Sequence, residues 1–400
     1  MEVYKYFPVA NDRMGIIWTL SSIKDACVIE FGPAGTTHYT VEGIRSLNGK
    51  YEAKIYSTYM DQNDINFGKY DTLEEVILEI DKNISPKYIF VTVSSSIGVD
   101  TIDICEMLKE DIDARLIPIN TGGLKDDYNI GIEYALEMIV KEIVKENAKD
   151  ESRYNILGFN IDKYNYLSDS LELERIMKEL FNKQLNTIFT TNTSMEDIEN
   201  AAKSSLNIVV RKEALKAAKY MKEKYKIPYV YQNLYGIKNT IKFVESVKKI
   251  DGYELDEDKY NKEIHFVKKN LFNIKRKLYL YEKTKDCAVF GDYDTVVGMS
   301  DMLKELGLNV DRKEILYKTT CNDESVLINT SELDRVNYLN HKELLMLLGD
   351  GPSIDMYHDS KIDIQVSNPN LETINIYPYT PFIGFRGCVY MIEKILNIKA

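Results

Sequence analysis

The chain has 400 residues, 44% of them hydrophobic and 28% charged, ordinary globular values that call for more than one compact core. A formal net charge of −12 disfavours binding to a phosphate backbone, and no run of about 18 apolar residues is available to cross a bilayer. Five widely spaced cysteines without a CxxC pair exclude a disulfide framework and a self-contained zinc or iron–sulfur motif, and the start Met1-Glu2-Val3-Tyr4-Lys5-Tyr6 lacks the features of a secretion signal. Neither nucleic acid nor a membrane is expected as a partner, and a cytoplasmic location follows.

Three stretches repeat one grammar of β-branched apolar run, polar or glycine-containing turn, amphipathic helix and second apolar run, which is the βαβ signature of a parallel sheet. The first opens at Ala26–Phe31, turns through Gly32-Pro33-Ala34-Gly35, and goes on to a helix near Leu73–Lys82. A strand at Tyr88–Val93, a helix through Ile104–Leu108 and a strand at Ala114–Ile119 complete it. The second opens at Tyr154–Phe159, has a helix around Leu171–Phe181, a strand at Leu185–Phe189, and further strands at Leu206–Val210 and Tyr229–Tyr231. A charged segment, Asp256–Tyr281, carries Phe266, Leu271, Ile274 and Leu278 at helical spacing and reads as a surface helix with one packed face. The third copy opens at Asp286–Asp292, has a helix at Gly298–Leu306 and a strand after Gly307, and a closing helix covers Cys388–Leu396. These elements predict an α/β protein with domains at 1–150, 151–255 and 256–400.

The glycine turns fit neither a GxGxxG fingerprint nor a Walker A loop, so no nucleotide is expected on this chain. His38, His265, His341 and His358 are not spaced as metal ligands, although His38 lies just past the turn Gly35-Thr36-Thr37. Cys27 sits on the strand entering the first glycine turn, where packing and metal ligation are both open. Cys321 lies in Thr319-Thr320-Cys321-Asn322-Asp323 at a strand end, and one thiol does not make a cluster.

A set of phrases in fixed order adds to this reading. Gly15-Ile16-Ile17-Trp18, Ile23-Lys24-Asp25 and Phe31-Gly32-Pro33-Ala34-Gly35-Thr36 resemble the GVVW, IKD and HGPVGC stretches of nitrogenase component 1 subunits. Met60–Gly68, Ser94-Ser95-Ser96-Ile97-Gly98, Glu223–Tyr229 and Pro381–Gly387 are similar to four more segments of that family, down to its closing P-F-H-G-F-D-G. The resemblance implies three Rossmann-like, doubly wound parallel-sheet domains around a central cleft.

Against the family pattern, the cluster-ligating cysteines fall on Thr36, on Ser95 and near Pro8. The cofactor-ligating cysteine and histidine fall at about Val210 and on Ile383. None supplies a thiolate or imidazole, the donors such groups need. The resemblance therefore implies a subunit of a nitrogenase-like oxidoreductase complex, paired with a homologous subunit or with itself, receiving electrons from an ATP-dependent iron–sulfur reductase. An iron–sulfur cluster would be shared with or held by the partner, with Gly32, Gly35, Thr36 and Ser95 at the cluster-site positions, His38 the candidate catalytic residue and Cys27 the candidate metal ligand. A cluster-less scaffold, or a subunit that binds a tetrapyrrole or a metal-cofactor precursor, is the alternative. An unrelated sugar or nucleotide-sugar enzyme is the third reading, and the collinear phrases count against it.

Overall fold

A computed structural model describes residues 10–47, 54–61, 63–64, 71–93, 102–119, 126–280, 284–356, 360–371 and 377–398. Three sheets organise it, and every strand pairing within them is parallel. The first has the order β2-β1-β3-β4, from β1 (Ala26–Phe31), β2 (Ile55–Ser57), β3 (Tyr88–Val93) and β4 (Arg115–Ile119). The second has the order β6-β5-β7-β8, from β5 (Asp150–Phe159), β6 (Gln184–Thr190), β7 (Ser204–Val209) and β8 (Tyr229–Tyr231). The third, β11-β10-β9-β12-β13, comprises β9 (Asp286–Gly291), β10 (Asn309–Ile315), β11 (Leu327–Ile328), β12 (Met346–Gly349) and β13 (Ile362–Gln365).

The continuous apolar runs follow from helices covering both sheet faces. In β1, Ala26 and Val28 pack toward α1 (Asp12–Ser21) and α5 (Tyr128–Glu142), while Cys27, Ile29 and Phe31 pack toward α3 (Asp71–Ile84) and α4 (Ile102–Leu108). Glu30 is the exception in this buried strand, and Arg13 of α1 places Nη1 2.8 Å from its Oε1, with both side chains buried. A charge in such a strand needs this kind of partner.

Two expectations about the first sheet are corrected. The glycine turn is shorter than read, because α2 (Ala34–Arg45) begins at Ala34 with Pro33 as its N-cap, so Gly35 is an exposed helical residue. The stretch between that turn and α3 is not a bare connection either, since α2 and β2 lie within it. The buried positions of α2 are Thr37, Thr40 and Ile44, a helical stripe whose hydroxyls hide the apolar periodicity. The third-sheet helix also begins earlier than read, as α11 (Tyr293–Glu305), because Asp292 accepts a hydrogen bond from Thr295 N and caps it.

The sheets do not keep separate cores. One buried cluster joins α1 and α5 to Leu157 and Val209 of the second sheet. Another joins the second and third sheets through α6 (Tyr166–Phe181), α9 (Gly236–Lys248), α10 (Glu257–Leu280), α11 and the closing α14 (Gly384–Leu396). At the start of α14, Gly384 has φ +72, and a Cβ there would meet Glu172 Cγ at 2.7 Å, so the family-like glycine of that segment answers both a left-handed turn and a close approach. Asp169 fixes the same turn by accepting the Phe382 amide at 2.7 Å and Asn165 Nδ2 at 3.1 Å. No helix among the described residues is long and apolar enough to cross a membrane.

Candidate functional site

Open parallel sheets expose the residues just past the carboxyl ends of their strands. Here the ends of β5, β7, β9 and β10 converge, and a cavity of about 420 Å³ lies beside them. Met14 and Trp18 of α1, Tyr39, Glu42 and Gly43 of α2, and Tyr128 of α5 form one wall. Asp162, Asp292, Leu316, Asp350 and Asn368 contribute the other. Trp18 and Tyr128 lie with ring centroids 6.3 Å apart, and Tyr128 meets Tyr317 edge-on at 5.2 Å, so the aromatic part of the wall is cross-packed. Both volume and lining suit a small organic molecule with a flat apolar body.

Behind the Asp162 and Asp292 wall lies a dense ionic network. Arg211, just past β7, is fully buried and donates from Nη1 to both Asp162 carboxylate oxygens at 3.0 and 2.9 Å, and from Nε to Glu213 at 2.9 Å. Tyr317 hydroxyl donates to Glu213 at 3.0 Å, bridging the second and third sheets. Lys163, just past β5, crosses the same seam and donates to both oxygens of Asp292 at 2.8 and 3.0 Å and to Thr295 at 2.8 Å. Burial opposes the charge on Asp292, yet Lys163 and then Arg211 hold it below the usual carboxylate range. Burial likewise opposes the Lys163 cation, and Asp292 overcomes this and raises it above the ordinary lysine value. Asp294 accepts the Lys212 amide and the Tyr231 hydroxyl, each at 2.7 Å. Burial, aided by the neighbouring Glu213, pushes Asp294 up to about 7. Only Asp162 and Asp292 of these charged groups reach the cavity wall, where their carboxylates favour a ligand that offers N–H or O–H donors.

The residues singled out from sequence are not brought together at this cavity. Thr36 lies in the first turn of α2, where its hydroxyl donates to Pro33 O at 2.7 Å and closes its own turn. Gly32 binds Thr58 through its amide at 3.0 Å, His38 is exposed on α2, and the cavity-lining residues of that helix are Tyr39, Glu42, Gly43 and Arg45. Cys27 is fully buried between apolar neighbours, and burial pushes its thiol up to about 12, which favours packing over ligation. Ser95, Pro8 and His358 lie outside the described residues. Val210 and Ile383 are both buried in the apolar core shared by the second and third sheets. Arg211, next to Val210, is the side chain that enters the site. Among the described residues no group of three or more His, Cys, Asp or Glu side chains is arranged to hold a metal ion. A cluster or metal cofactor held by thiolate and imidazole in the family manner therefore does not fit this chain's own residues.

The charged residues that matter here were not picked out from sequence. Their signal was position: Asp162-Lys163, Arg211-Lys212-Glu213 and Asp292 each lie within four residues of the end of an apolar strand, where a ligand-facing turn begins.

Comparison with known proteins assigns the family. The profile described as "Nitrogenase component 1 type Oxidoreductase" matches residues 12–399. The chain belongs to this family. Among nitrogenase component 1 type relatives, the nitrogenase iron-molybdenum cofactor biosynthesis protein NifE of Clostridium pasteurianum is 28% identical over 72% of this chain, a match that takes in 64% of that relative. The nitrogenase molybdenum-iron protein alpha chain of the same organism is 26% identical over 94% of this chain and 83% of its own length. A subunit of the light-independent protochlorophyllide reductase of Chaetosphaeridium globosum is 22% identical over 96% of this chain and 81% of its own. A solved structure, "Nitrogenase Cp1 at pH 6.5", superposes with a TM-score of 0.82 at 16% identity, covering all of this chain and 94% of that one. The component 1 fold is thus shared across the chain.

Proposed function

We infer that the chain is a subunit of a nitrogenase-like oxidoreductase complex that contributes a binding cavity for a small organic molecule. A homologous subunit carries the metal–sulfur cluster, and an ATP-dependent iron–sulfur reductase supplies electrons. The observation that carries this reading is the cavity of about 420 Å³ whose lining combines the rings of Trp18, Tyr39 and Tyr128 with the carboxyl groups of Asp162 and Asp292. The relatives support it in kind, since they include a nitrogenase chain, a cofactor biosynthesis protein and a protochlorophyllide reductase subunit. Lys163 and Arg211 hold Asp292 and Asp162 in place, so the carboxylates present a fixed acceptor geometry to the ligand.

A cluster-less scaffold or carrier subunit is the second reading, favoured by the burial of Val210 and Ile383 in a packed core. Iron and acid-labile sulfide, measured with a visible spectrum on protein purified anaerobically alone and with its homologous subunit, separate the two. The expected result is an iron-free chain that joins an iron-containing complex, with the iron lost when the partner's cysteines are changed. An assembled complex free of iron would move the assignment to the scaffold.

A further inference from the structure

We propose that this chain associates with a second copy of itself by docking the basic, aromatic outer face of α10 onto the acidic outer face formed by α3 and α4. This inference does not rest on the cavity reading, because neither face contributes to the cavity wall.

The inner side of α10 is spent on the core through Tyr260, Val267, Ile274 and Leu278. Its outer side carries His265, Lys269, Phe272, Arg276 and Tyr279 at spacings of four, three, four and three, a single helical stripe, and all five are exposed. Phe272 is 71% exposed, Tyr279 86% and Leu280 68%, values that leave large apolar surfaces in water. The helix holds seven Lys and Arg against three Asp and Glu, in a chain whose net charge is −12. Among the described residues, Lys262, Lys268, Lys269, Lys275 and Arg276 form no ion pair. A charged face is ordinarily just solvated, but the interleaved aromatics are not accounted for by solvation.

A surface of opposite sign lies on the first sheet. The helix α3 has five acidic residues and one lysine, and its outer stripe reads Asp71, Glu75, Leu78 and Lys82 with Glu74 and Glu79 beside it. Next to it α4 exposes Asp103 and Met107, the latter at 73%, and also Glu106, which pairs with Lys109. Both helices pack on the same side of the sheet, since Leu73, Ile77, Cys105 and Leu108 share one core, and Asp81 of α3 accepts the Ala114 amide just beyond α4. Among the described residues Asp71, Glu74, Glu75 and Glu79 form no ion pair. Each face thus has uncompensated charges around exposed apolar side chains, with signs opposed. A second copy offers both halves of this complementarity at once.

The two faces are different surfaces. One contact leaves a free face on each copy, so growth beyond a dimer follows unless a two-fold axis satisfies both pairs together.

Sedimentation velocity on the full chain across a concentration series, at low and high salt, reads the association. The expected result is concentration-dependent self-association that weakens as salt screens the faces. Lys269→Glu with Arg276→Glu, and separately Glu75→Lys with Glu79→Lys, should each weaken it by roughly tenfold or more, with unchanged circular dichroism. Mixing the two reversed proteins should restore association, because each retains the half the other has lost. A wild-type chain that stays monomeric, or reversed proteins that do not recover on mixing, would overturn the proposal. So would binding of the wild type to anionic lipid vesicles without self-association, which assigns the basic face to a lipid surface instead.

Discussion

Asp294 receives one hydrogen bond from a backbone amide and one from a phenol, yet its carboxyl is pushed from 3.8 up to about 7 by burial and by Glu213. Because the folded value is raised, the fold favours the protonated form. The stability linked to this group is fully present below about pH 4 and is lost as pH rises through about 7. Asp294→Asn removes that dependence, so the unfolding free energies of variant and wild type in urea should diverge in the variant's favour between pH 4 and pH 8, by an amount on the order of 2–4 kcal/mol at the alkaline end. A constant offset across the range would contradict the assignment. The Arg13 and Glu30 pair makes a different prediction. Arg13→Leu leaves a bare carboxylate in a closed strand and should cost about 3–5 kcal/mol in urea unfolding, while Arg13→Leu with Glu30→Leu recovers most of it. Neither pair was legible in the sequence. Glu30 and Arg13 are 17 positions apart on elements that only the fold brings together, and Asp294 looks like any acidic residue in the first turn of a helix.

At the scale of elements, α1 and α5 cross almost backbone to backbone. A Cβ on Gly15 would lie 2.0 Å from Tyr128 O, and one on Gly131 would lie 1.8 Å from Asp12 O. Gly15→Ala or Gly131→Ala must push these helices apart, and a loss of about 1–3 kcal/mol in chemical unfolding is expected from either. Tyr128 lines the cavity from this crossing, so ligand affinity should fall together with stability. The strands were readable because two-sided burial makes them continuously apolar, and β3 and β8 fall where the pattern placed them. The helix α2 was not, because its buried stripe is Thr37, Thr40 and Ile44 rather than an aliphatic seam. That helix supplies Tyr39, Glu42 and Gly43 to the cavity, so what the pattern missed is also where much of the cavity wall is made.

Across the whole molecule, the buried cores run between the three sheets rather than within each one. The apolar side of α9 is covered by α11 and α14, and α6 is covered by α10 and α14. A fragment of residues 151–255 therefore exposes Phe243, Val244 and Val247 to water, and it should fail to give a cooperative thermal transition by circular dichroism. A fragment that melted cooperatively would show the sheets to be separable folding units. The collinear phrases carried the overall fold in the sequence, whereas the charged seam between the second and third sheets did not show there, because Lys163 and Asp292 are joined across 129 positions.

Trp18 is the only tryptophan in the chain, and it stands in the cavity wall with its indole N–H directed at Thr40 O. All indole emission from the purified chain therefore originates at the site itself, with no background from elsewhere. A molecule entering the cavity would announce itself as a shift or quenching of that emission, and an absorbing ligand as energy transfer from it, so candidate ligands can be screened by light on the unlabelled protein.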